Sequence, residues 1–371
     1  MTAMQRMEIQ VNLGERSYPI VVTSGELAQV GTFARSRSQG TQALVVCDAH
    51  TRKRFGEAVA QSLNASGFKT HVSVLAAGES TKSLASATIL YDNLIAMAAD
   101  RQTLVVAVGG GVIGDLAGFV AATYARGIPF LQVPTSLLAQ VDSSVGGKVG
   151  VNFHGADGRI TKNMIGAFHQ PVGVFIDTET LRSLPPEELR AGLAEVVKYG
   201  VIMDAEFFAF LESNVDAIVA LDPAATRHMV ARCCRLKADV VEADEREVSD
   251  RRAILNYGHT FAHAIEAVTR EYRHGEAVAI GMVAASRLAE RLGRVPPDVT
   301  ERQVRLLERF GLRTVAPGLN AAALVDAMKH DKKAQAGRLR FVLPSRIGEV
   351  ELVGDVSTDD VQQVVQQMTG S

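Results

Sequence analysis

Histidines and a glutamate are spaced along this sequence in the way that ligands of a catalytic metal ion are spaced. His259 and His263 are four residues apart, so a helix places them on one face, and Asn256 falls three residues before His259 on that face. His274 opens another helical run, and Glu195 lies in a third. Mixed His and Glu ligands without cysteine are typical of a catalytic Zn²⁺ site with an open position. We therefore predict that two helices bring histidines to one ion and that Glu195 completes the set.

Each of these pairs also has a structural explanation. His259 and His263 could be half-buried helix residues, and Glu195 could form an ordinary ion pair with Lys198, three residues later. Two histidines at this spacing are an unspecific signal when they are taken alone. Thr260 stands where a metalloprotease HExxH motif has its glutamate, which excludes that mechanism.

The composition is that of an ordinary globular protein. The 371 residues are enough for two domains, with 47% hydrophobic and 22% charged residues. A net charge of −2, scarce aromatic residues and the lack of tryptophan argue against nucleic-acid binding. No apolar stretch predicts a membrane span or a signal peptide. Three cysteines, Cys47, Cys233 and Cys234, cannot form a disulfide framework, so we expect a cytoplasmic protein.

The pattern of apolar and polar residues changes near residue 184. Before it, apolar strand-like runs alternate with helical runs, which predicts an α/β domain with a parallel sheet over residues 1–184. Beyond it the pattern is helical to about residue 312, with breaks near Pro223 and Pro297, which predicts a mainly helical domain over residues 185–371. Two late strand-like runs, 339–343 and 349–353, could form a hairpin. The earlier runs are strands at 43–47, 70–75, 104–108, 130–133 and 172–176, and helices at 51–66 and 82–99.

A glycine cluster, GGGVIGD at residues 109–115, follows a buried strand and opens a helix. Glycines there let backbone N–H groups approach a pyrophosphate at a helix N-terminus, and Asp115 adds an acceptor in the first turn. The pattern is not the GxGxxG of a Rossmann dinucleotide site, and glycines at a strand end can also serve packing alone. We predict phosphate or dinucleotide binding.

Other polar segments are ambiguous when each is taken singly. Asp142 and Lys148 could serve a hydroxyl and a phosphate, or could lie in a Ser/Gly-rich connector. Residues 78–83 have the features of a helix start. The acidic run at 242–247 has the pattern of a solvated face, and the charges at 331–333 that of an exposed surface.

Six segments, in this order, resemble the 3-dehydroquinate synthase family, over the chain from about residue 48 to about residue 343. The segments are GGGVIGDLAGF (109–119), VPTSLLAQVDSSVGGK (133–148), KNMIGAFHQP (162–171), GLAEVVKYG (192–200), ADERE (243–247), and LNYGHTFAHAIE (255–266) with HGEAVAIGM (274–282).

This resemblance implies an N-terminal NAD-binding α/β domain and a C-terminal helical domain that holds Zn²⁺ (or Co²⁺) through Glu195, His259 and His274. It implies a homodimer in which Arg126 reaches the neighbouring site. The positions that match NAD contacts are Asp48, Glu79, Lys82, Gly110, Gly111, Val112, Asp115, Thr135, Ser136, Ser183 and Leu184, while Lys162 matches a position at the cofactor and substrate sites. The positions that match the substrate site are Asp142, Lys148, Asn163, Lys198, Lys237, Arg252, Asn256, His263 and either Lys332 or Lys333.

The family converts a sugar phosphate, 3-deoxy-D-arabino-heptulosonate 7-phosphate, to 3-dehydroquinate and phosphate. The resemblance implies transient oxidation by NAD⁺, loss of phosphate, re-reduction and an intramolecular aldol closure, so that NAD⁺ is regenerated at each turnover. Lys148, Asn163 and a lysine of the 331–333 triplet match positions that hold phosphate, and Lys237 and Arg252 match positions that hold the carboxylate. The residues do not identify the base, and the departing phosphate is one candidate.

The chain departs from the family pattern at three places. Residues 149–161 are several residues longer than the usual loop, one extra residue lies between Glu247 and Arg252, and His50 replaces the residue that is frequent there. Because the long loop borders the substrate positions, these departures bear on substrate identity more than on fold.

Three alternative functions remain at this point. Another sugar-phosphate cyclase would act on sedoheptulose 7-phosphate or glucose 6-phosphate, which lack the carboxylate that Lys237 and Arg252 suit. An alcohol dehydrogenase of the glycerol dehydrogenase type would need no phosphate-binding lysines. A non-catalytic NAD- or metal-binding regulator would be expected to lack one or more of Glu195, Lys198, His259 and His274, and all four are present.

Overall fold

The computed structural model describes residues 6–155, 160–329 and 340–370. The chain forms two compact units: Met1–Leu184 with Thr226–Arg246, and Pro185–Ala225 with Glu247–Ser371. One junction thus falls after Leu184, and a later segment belongs with the first unit. Within the described ranges, no helix has both the length and the apolar character that a membrane crossing requires.

A seven-stranded sheet is the centre of the first unit. Its order is β1-β2-β9-β6-β5-β3-β4; β1 and β2 are antiparallel, and the other pairs are parallel. Strands β5, β6 and β9 are buried along their whole length, as expected when helices cover both faces of a parallel sheet. The strands are β1 (Met7–Val11), β2 (Tyr18–Thr23), β3 (Gln42–Asp48), β4 (Lys69–Leu75), β5 (Leu104–Gly109), β6 (Phe130–Pro134), β7 (Lys148–His154), β8 (Ile160–Phe168) and β9 (Gly173–Asp177).

Helices cover this sheet on both sides. Helices α3 and α4 pack in one apolar cluster with β3 and β5, and α1 and α2 pack in another. Two predicted helices begin later than expected, because Arg52–Gly56 forms a wider turn before α2, and Ser83 caps α3 by accepting a hydrogen bond from Ser86 N. The helices are α1 (Val30–Arg37), α2 (Glu57–Ala65), α3 (Leu84–Ala96), α4 (Gly111–Thr123), α5 (Pro186–Met203), α6 (Ala205–Ser213), α7 (Val215–Val219), α8 (Pro223–Ala243), α9 (His259–Val268), α10 (His274–Arg291), α11 (Pro297–Arg309), α12 (Ala321–Lys329) and α13 (Thr358–Thr369).

The long loop expected after Lys148 is instead an antiparallel hairpin of β7 and β8. Its inner face packs against the α4 cluster through Ile165 and Ala167. Its outer face exposes Ile160, Met164 and Phe168, each between 46% and 60% exposed. The side chains of a strand alternate between its two faces, which explains how β8 packs on the core with one face and exposes a stripe of apolar side chains on the other.

The acidic run at 242–247 is not the solvated face that its composition suggested. Glu242 accepts hydrogen bonds from Asn12, and Glu245 pairs with Arg16 at 2.7 Å. The hydrogen bond from Arg16 lowers the pKa of the Glu245 carboxyl. The end of α8 is therefore tied to the connection between β1 and β2, two strands that the sequence pattern did not indicate.

Over the residues that the structure describes, the second unit is helical apart from one hairpin. The predicted breaks are confirmed, since α8 begins at Pro223 and α11 at Pro297. The predicted late hairpin is confirmed as β10 (Phe341–Arg346) paired with β11 (Glu349–Val353).

Cys47 and Cys234 are buried free thiols in the first unit, and we predict that they resist alkylation in the folded protein. Burial raises the pKa of Cys47 to about 11 and that of Cys234 to about 12. At pH 8 only about one Cys47 thiol in a thousand is the reactive thiolate. Iodoacetamide labelling followed by mass spectrometry should show slow modification at pH 8 and complete modification in urea; fast labelling of the native protein at these two positions would contradict the burial.

Candidate active site

Three side chains of the second unit converge as metal ligands would. Glu195 lies in the middle of α5, while His259 and His274 are the first residues of α9 and α10. Glu195 Oε1 is 3.6 Å from His259 Nε2 and 3.7 Å from His274 Nε2, and the candidate ligand atoms all lie within 4.8 Å of one another. A single ion placed among these atoms could contact all three.

Hydrogen bonds orient both imidazole rings toward Glu195. His259 Nδ1 donates to the carbonyl oxygen of Tyr257 at 3.1 Å, and His274 Nδ1 lies 3.1 Å from Glu266 Oε1. Each ring therefore has its Nε2 atom turned to the shared carboxylate. Metal-binding histidines usually have such a partner on the second nitrogen, so this arrangement fits a metal site.

The ionisation of the cluster also fits a metal. Burial raises the pKa of Glu195, but the charge of Lys198 and the two histidines hold it well below the usual value. Burial and the charge of Lys198 lower the pKa of His259 to about 3. Burial lowers the pKa of His274 as well, but the hydrogen bonds and charges of Glu195 and Glu266 outweigh burial and raise this pKa to about 10. At neutral pH Glu195 is ionised and His259 neutral, as ligands must be, and a bound metal would displace a proton from His274.

Lys198 does form the ion pair with Glu195 that was the structural alternative, and both side chains are almost fully buried. An ion pair in this environment is more than an ordinary surface contact between helix neighbours. It keeps the carboxylate charged while the opposite carboxylate oxygen faces the histidines.

Asn256 does not share the helical face of the histidines, which corrects the spacing argument. It ends the turn Asp250–Asn256, and α9 begins only at His259 after Gly258, whose φ of 77° is left-handed. His263 does lie one turn along α9, with its ring centroid 5.6 Å from that of His259. Arg252 lies in the same turn as Asn256 and is 3% exposed.

Two close backbone contacts bring the three metal-site helices together. A Cβ atom on Gly275 would lie 2.1 Å from the carbonyl oxygen of Ala191 in α5, and one on Gly281 would lie 2.2 Å from that of Gly258 before α9. Only glycine permits such distances. Because Gly275 follows His274 directly, its contact with α5 sets how closely His274 approaches Glu195.

We predict that Gly275→Ala weakens metal binding by about 10- to 100-fold, because the added methyl group pushes the first turn of α10 away from α5. A loss of about 1–3 kcal/mol in stability should accompany it, since the methyl overpacks the helix contact. Zn²⁺ affinity measured by competition with a chelator tests the first point and thermal unfolding the second. Gly354→Ala is the control, because a Cβ there meets nothing within 4 Å. Unchanged Zn²⁺ affinity in Gly275→Ala would refute the positioning role.

In the first unit, the glycine cluster leads from β5 into α4 as predicted, although Asp115 lies in the second turn of the helix rather than the first. A Cβ on Gly110 would lie 3.2 Å from Ser136 Oγ, and one on Gly111 3.1 Å from Ser143 Oγ. The two serine hydroxyls therefore crowd the start of α4, where backbone N–H groups are unpaired within the helix. Backbone N–H groups and hydroxyl groups are the donors that bind a phosphate at a helix N-terminus, and we call this start of α4, with Gly110, Gly111, Ser136 and Ser143, the α4 cradle.

Four of the predicted residues form one hydrogen-bonded group beside that helix. Lys82 Nζ donates to Asp115 Oδ2 and to Asn163 Oδ1, both at 2.5 Å. Burial raises the pKa of Asp115 even though Lys82 opposes the effect. Glu79 joins the group through Asn152, a residue that the sequence analysis did not select.

Asp142 and Lys237 form a second group. Lys237 Nζ is 2.9 Å from Asp142 Oδ1 and also donates to its backbone oxygen. Lys237 lies on α8 and is 6% exposed, and this pair holds its side chain toward Asp142. Asp142 and Lys148 do not share one connector, because Asp142 lies in the turn Ala139–Ser143 and Lys148 starts β7.

The remaining predicted residues lie at the ends of strands and helices. Asp48, at the end of β3, accepts from the backbone N–H groups of His50 and Thr51. Arg126 is exposed on a short turn after α4, and Lys162 is exposed on β8. Lys332 and Lys333 lie outside the described residues. Val112 is in the first turn of α4, Thr135 follows β6, and Ser183 and Leu184 end the turn before α5.

Sequence reasoning did not single out Tyr257, Glu266 and Asn152 as functional residues. Glu266 ends the motif that begins at residue 255, so its position was in view, but its contact with His274 could not be read from spacing. Asn152 contacts residues up to 73 positions away.

The fold and the metal cluster together define the dehydroquinate synthase-like class, a parallel-sheet α/β unit combined with a helical metal-binding unit. Sequence profiles agree with this: residues 72–191 match the family described as 3-dehydroquinate synthase N-terminal, and residues 192–334 match 3-dehydroquinate synthase C-terminal. The chain belongs to the 3-dehydroquinate synthase family.

Individual relatives extend the match to nearly the whole chain. A protein of Desulforamulus reducens named 3-dehydroquinate synthase is 51% identical over 97% of this chain and 99% of its own. One of Nostoc punctiforme with the same name is 47% identical, with the same coverage.

Solved structures show the same fold. A 2-deoxy-scyllo-inosose synthase complexed with carbaglucose-6-phosphate, NAD⁺ and Co²⁺ has a TM-score of 0.87 at 27% identity, covering 98% of this chain and 100% of its own. ValA, a 2-epi-5-epi-valiolone synthase from Streptomyces hygroscopicus with NAD⁺ and Zn²⁺ bound, has a TM-score of 0.85 at 29% identity, covering 96% of this chain and 98% of its own. A protein from Sinorhizobium meliloti named "probable glycerol dehydrogenase", at 16% identity with a TM-score of 0.61 and coverage of 95% and 96%, shares the fold alone.

Proposed function

We propose that this protein converts 3-deoxy-D-arabino-heptulosonate 7-phosphate to 3-dehydroquinate and inorganic phosphate, a net carbon–oxygen lyase reaction. The observation that carries the proposal is the cluster of Glu195, His259 and His274, in which the Nδ1 atom of each imidazole ring has a hydrogen-bond partner. The chain that holds this cluster is about half identical to proteins named for this activity. The carboxylate of this substrate is the group that the sister sugar phosphates lack, and Lys237 and Arg252 are the cations that suit it.

The cofactors of the proposed reaction are NAD⁺ and Zn²⁺ or Co²⁺. We assign NAD⁺ to the first unit, at the start of α4, and the metal to the triad of the second unit. When bound, the metal supplies Lewis acidity toward substrate hydroxyls, and NAD⁺ supplies reversible hydride acceptance. The structure fits both, because the α4 cradle suits a phosphate and the triad offers one carboxylate and two imidazoles in suitable ionisation states.

The protein's own side chains then orient the substrate. We assign Lys237, whose ammonium group pairs with Asp142, to the substrate carboxylate, and we assign Arg252 to the same group of the substrate. Lys148, exposed at the start of β7, is assigned to the phosphate, with the amide of Asn163 as a further donor. Loss of phosphate breaks its carbon–oxygen bond and releases a proton from the neighbouring carbon; we assign no residue to that proton.

We also propose the cytoplasm as the location, which the three cysteines support because none of them is in a disulfide, and thiols persist in a reducing compartment. We keep residues 1–184 as the NAD-binding domain and residues 185–371 as the metal- and substrate-binding domain, with α8 contributing Lys237 to the first unit.

The decisive assay is phosphate release from 3-deoxy-D-arabino-heptulosonate 7-phosphate, with Zn²⁺ and less NAD⁺ than substrate, while the absorbance of NADH is followed. Many phosphates per NAD⁺ with no lasting NADH support the proposal. Turnover only on sedoheptulose 7-phosphate or glucose 6-phosphate would move the chain to a sister cyclase. Accumulation of NADH without phosphate release would indicate an alcohol dehydrogenase.

We further propose that the protein is a homodimer in which Arg126 acts in the partner's site. Ala125 and Arg126 have φ values of 48° and 68°, a costly left-handed backbone for residues with side chains, and Arg126 is exposed there. The exposed stripe of Ile160, Met164 and Phe168 offers apolar surface for a second copy.

Subunit complementation tests the shared site. Lys148→Ala and Arg126→Ala homodimers should each be nearly inactive. Unfolded together and refolded in equal amounts, they should recover about a quarter of wild-type activity, since half of the dimers are mixed and one site in each is then complete. Sedimentation velocity checks the dimer itself. No recovery from verified mixed dimers would place Arg126 in its own subunit's site or in none.

A further inference from the structure

Asn152 is a buried amide that joins three segments on the cofactor side of the first unit. It lies on β7 and is 4% exposed. Its Nδ2 donates to Glu79 Oε1 at 2.7 Å, and its Oδ1 accepts from the backbone N–H of Asn163 at 3.3 Å. Its own backbone N–H donates to the carbonyl oxygen of Lys82 at 2.8 Å. One side chain thus connects the turn Glu79–Thr81, β7 and β8.

These partners determine the orientation of the amide. A carboxylate can only accept, so the NH₂ group must face Glu79, and a backbone N–H can only donate, so the oxygen must face Asn163. No other rotation of the amide satisfies both contacts. Position 152 therefore requires asparagine. An aspartate there would bring its carboxylate against that of Glu79, and a hydrocarbon side chain could hydrogen-bond to neither Glu79 nor Asn163.

The partners need such support. Glu79 is exposed on a short turn, where a carboxylate would otherwise sample several rotamers. Asn163 has a φ of 59°, unusual for a residue other than glycine, and its Oδ1 must remain on Lys82 Nζ. Lys82 in turn pairs with Asp115. The hydrogen bonds of Asn152 thus reach both a cofactor position and a substrate position.

We propose that Asn152 is a positioning residue: its amide fixes the Glu79 carboxylate as an acceptor for nucleotide hydroxyl groups and holds Asn163 in its left-handed conformation. The inference rests on the proposed function in taking the Glu79 and Lys82 segment as part of the NAD site. Because Asn152 binds one oxygen of the Glu79 carboxylate, the other oxygen can accept a hydrogen bond from a ribose hydroxyl group. Carboxylates make this contact in other nucleotide sites.

A double-mutant cycle on NADH affinity, followed by NADH fluorescence, tests the inference. Asn152→Ala should weaken NADH binding by about tenfold or more, and Asn152→Asp should weaken it further because its charge repels Glu79. In a Glu79→Ala background, either substitution should weaken NADH binding clearly less than in the wild type, because the effect that Asn152 has through Glu79 is then already lost and only the effect through Asn163 remains. Asn64→Ala is the matched control, since Asn64 is an exposed residue whose side-chain Oδ1 accepts a hydrogen bond from the backbone N–H of Thr70.

The outcomes separate this inference from the proposed function. Equal losses in the wild-type and Glu79→Ala backgrounds would show that Asn152 does not act through Glu79, as would unchanged NADH affinity. Thermal unfolding of each variant identifies a general loss of fold; if Asn152→Ala unfolds, the cycle is completed with Asn152→Asp, which keeps the side-chain size. If the wild-type protein itself does not bind NADH, the proposed function fails. If it binds and the cycle is additive, only the role of Asn152 fails.

Discussion

Replacing Glu195 with glutamine is expected to abolish tight metal binding and to lower turnover by about three orders of magnitude or more. The carboxylate is the one anionic group of the triad and the closest common neighbour of both histidines. Glutamine keeps its shape but removes the charge that attracts the ion. The change also leaves Lys198 buried without its counter-ion, so a lower unfolding temperature should accompany the loss.

Metal content after dialysis and phosphate release at saturating NAD⁺ measure this effect. NADH binding should persist, because the proposed NAD site belongs to the other unit. Glu206→Gln, the same change at an exposed position of α6, should leave metal and activity intact. Glu266→Gln should be intermediate, with about 10- to 100-fold weaker metal, since Glu266 only orients His274. Full metal content with normal turnover in Glu195→Gln would remove the triad from the mechanism.

The second large effect is expected from Lys82→Met, which should destabilise the first unit by about 2–4 kcal/mol. The substitution leaves the half-buried Asp115 carboxylate without the cation that donates to it at 2.5 Å in the wild type, and the amide oxygen of Asn163 also loses its donor. The damage should be repaired largely by a second change, Asp115→Asn, because the neutral amide no longer needs a cation.

The penalty of Lys82→Met should depend on pH in a defined direction. Burial already raises the pKa of Asp115 against the opposing charge of Lys82, so removing Lys82 raises it further. A carboxyl whose pKa is higher in the folded than in the unfolded state loses stability as the pH rises above the unfolded value. The difference between the variant and the wild type should therefore be small near pH 4 and grow toward neutral pH.

Urea unfolding of the cofactor-free protein at several pH values measures this difference. Lys69→Met, at an exposed position at the start of β4, is the control and should show no such trend. A penalty that is constant with pH would show that Asp115 is not the group left uncompensated.

The sequence predicted those site residues whose own local segment has a clear helical or strand-like pattern. Glu195, His259 and His274 each lie in a helix whose pattern was clear, and the glycine cluster followed a recognisable strand. The prediction that Asn256 shares the helical face of the histidines was wrong because it extended helical spacing through Gly258, whose left-handed backbone ends that regularity.

Features that depend on distant partners could not be read from local pattern. The β7–β8 hairpin contains glycine, asparagine and lysine, which favour loops, and its strand character comes from pairing and from packing on α4. The contact between Asn152 and Glu79, and the pairing of Glu245 with Arg16, likewise join residues far apart in the chain. Such contacts are determined by tertiary structure rather than by propensity.

The return of Thr226–Arg246 to the first unit has a consequence for synthesis on the ribosome. A nascent chain that has emerged only to Leu184 contains every strand of the large sheet but not Glu242 and Glu245, the partners of Asn12 and Arg16. The first unit is thus completed only after part of the second has been translated. For the same reason, a fragment that ends at Leu184 would leave the carbonyl oxygen of Gln10, Asn12 and Arg16 without the partners that they have on and just beyond α8.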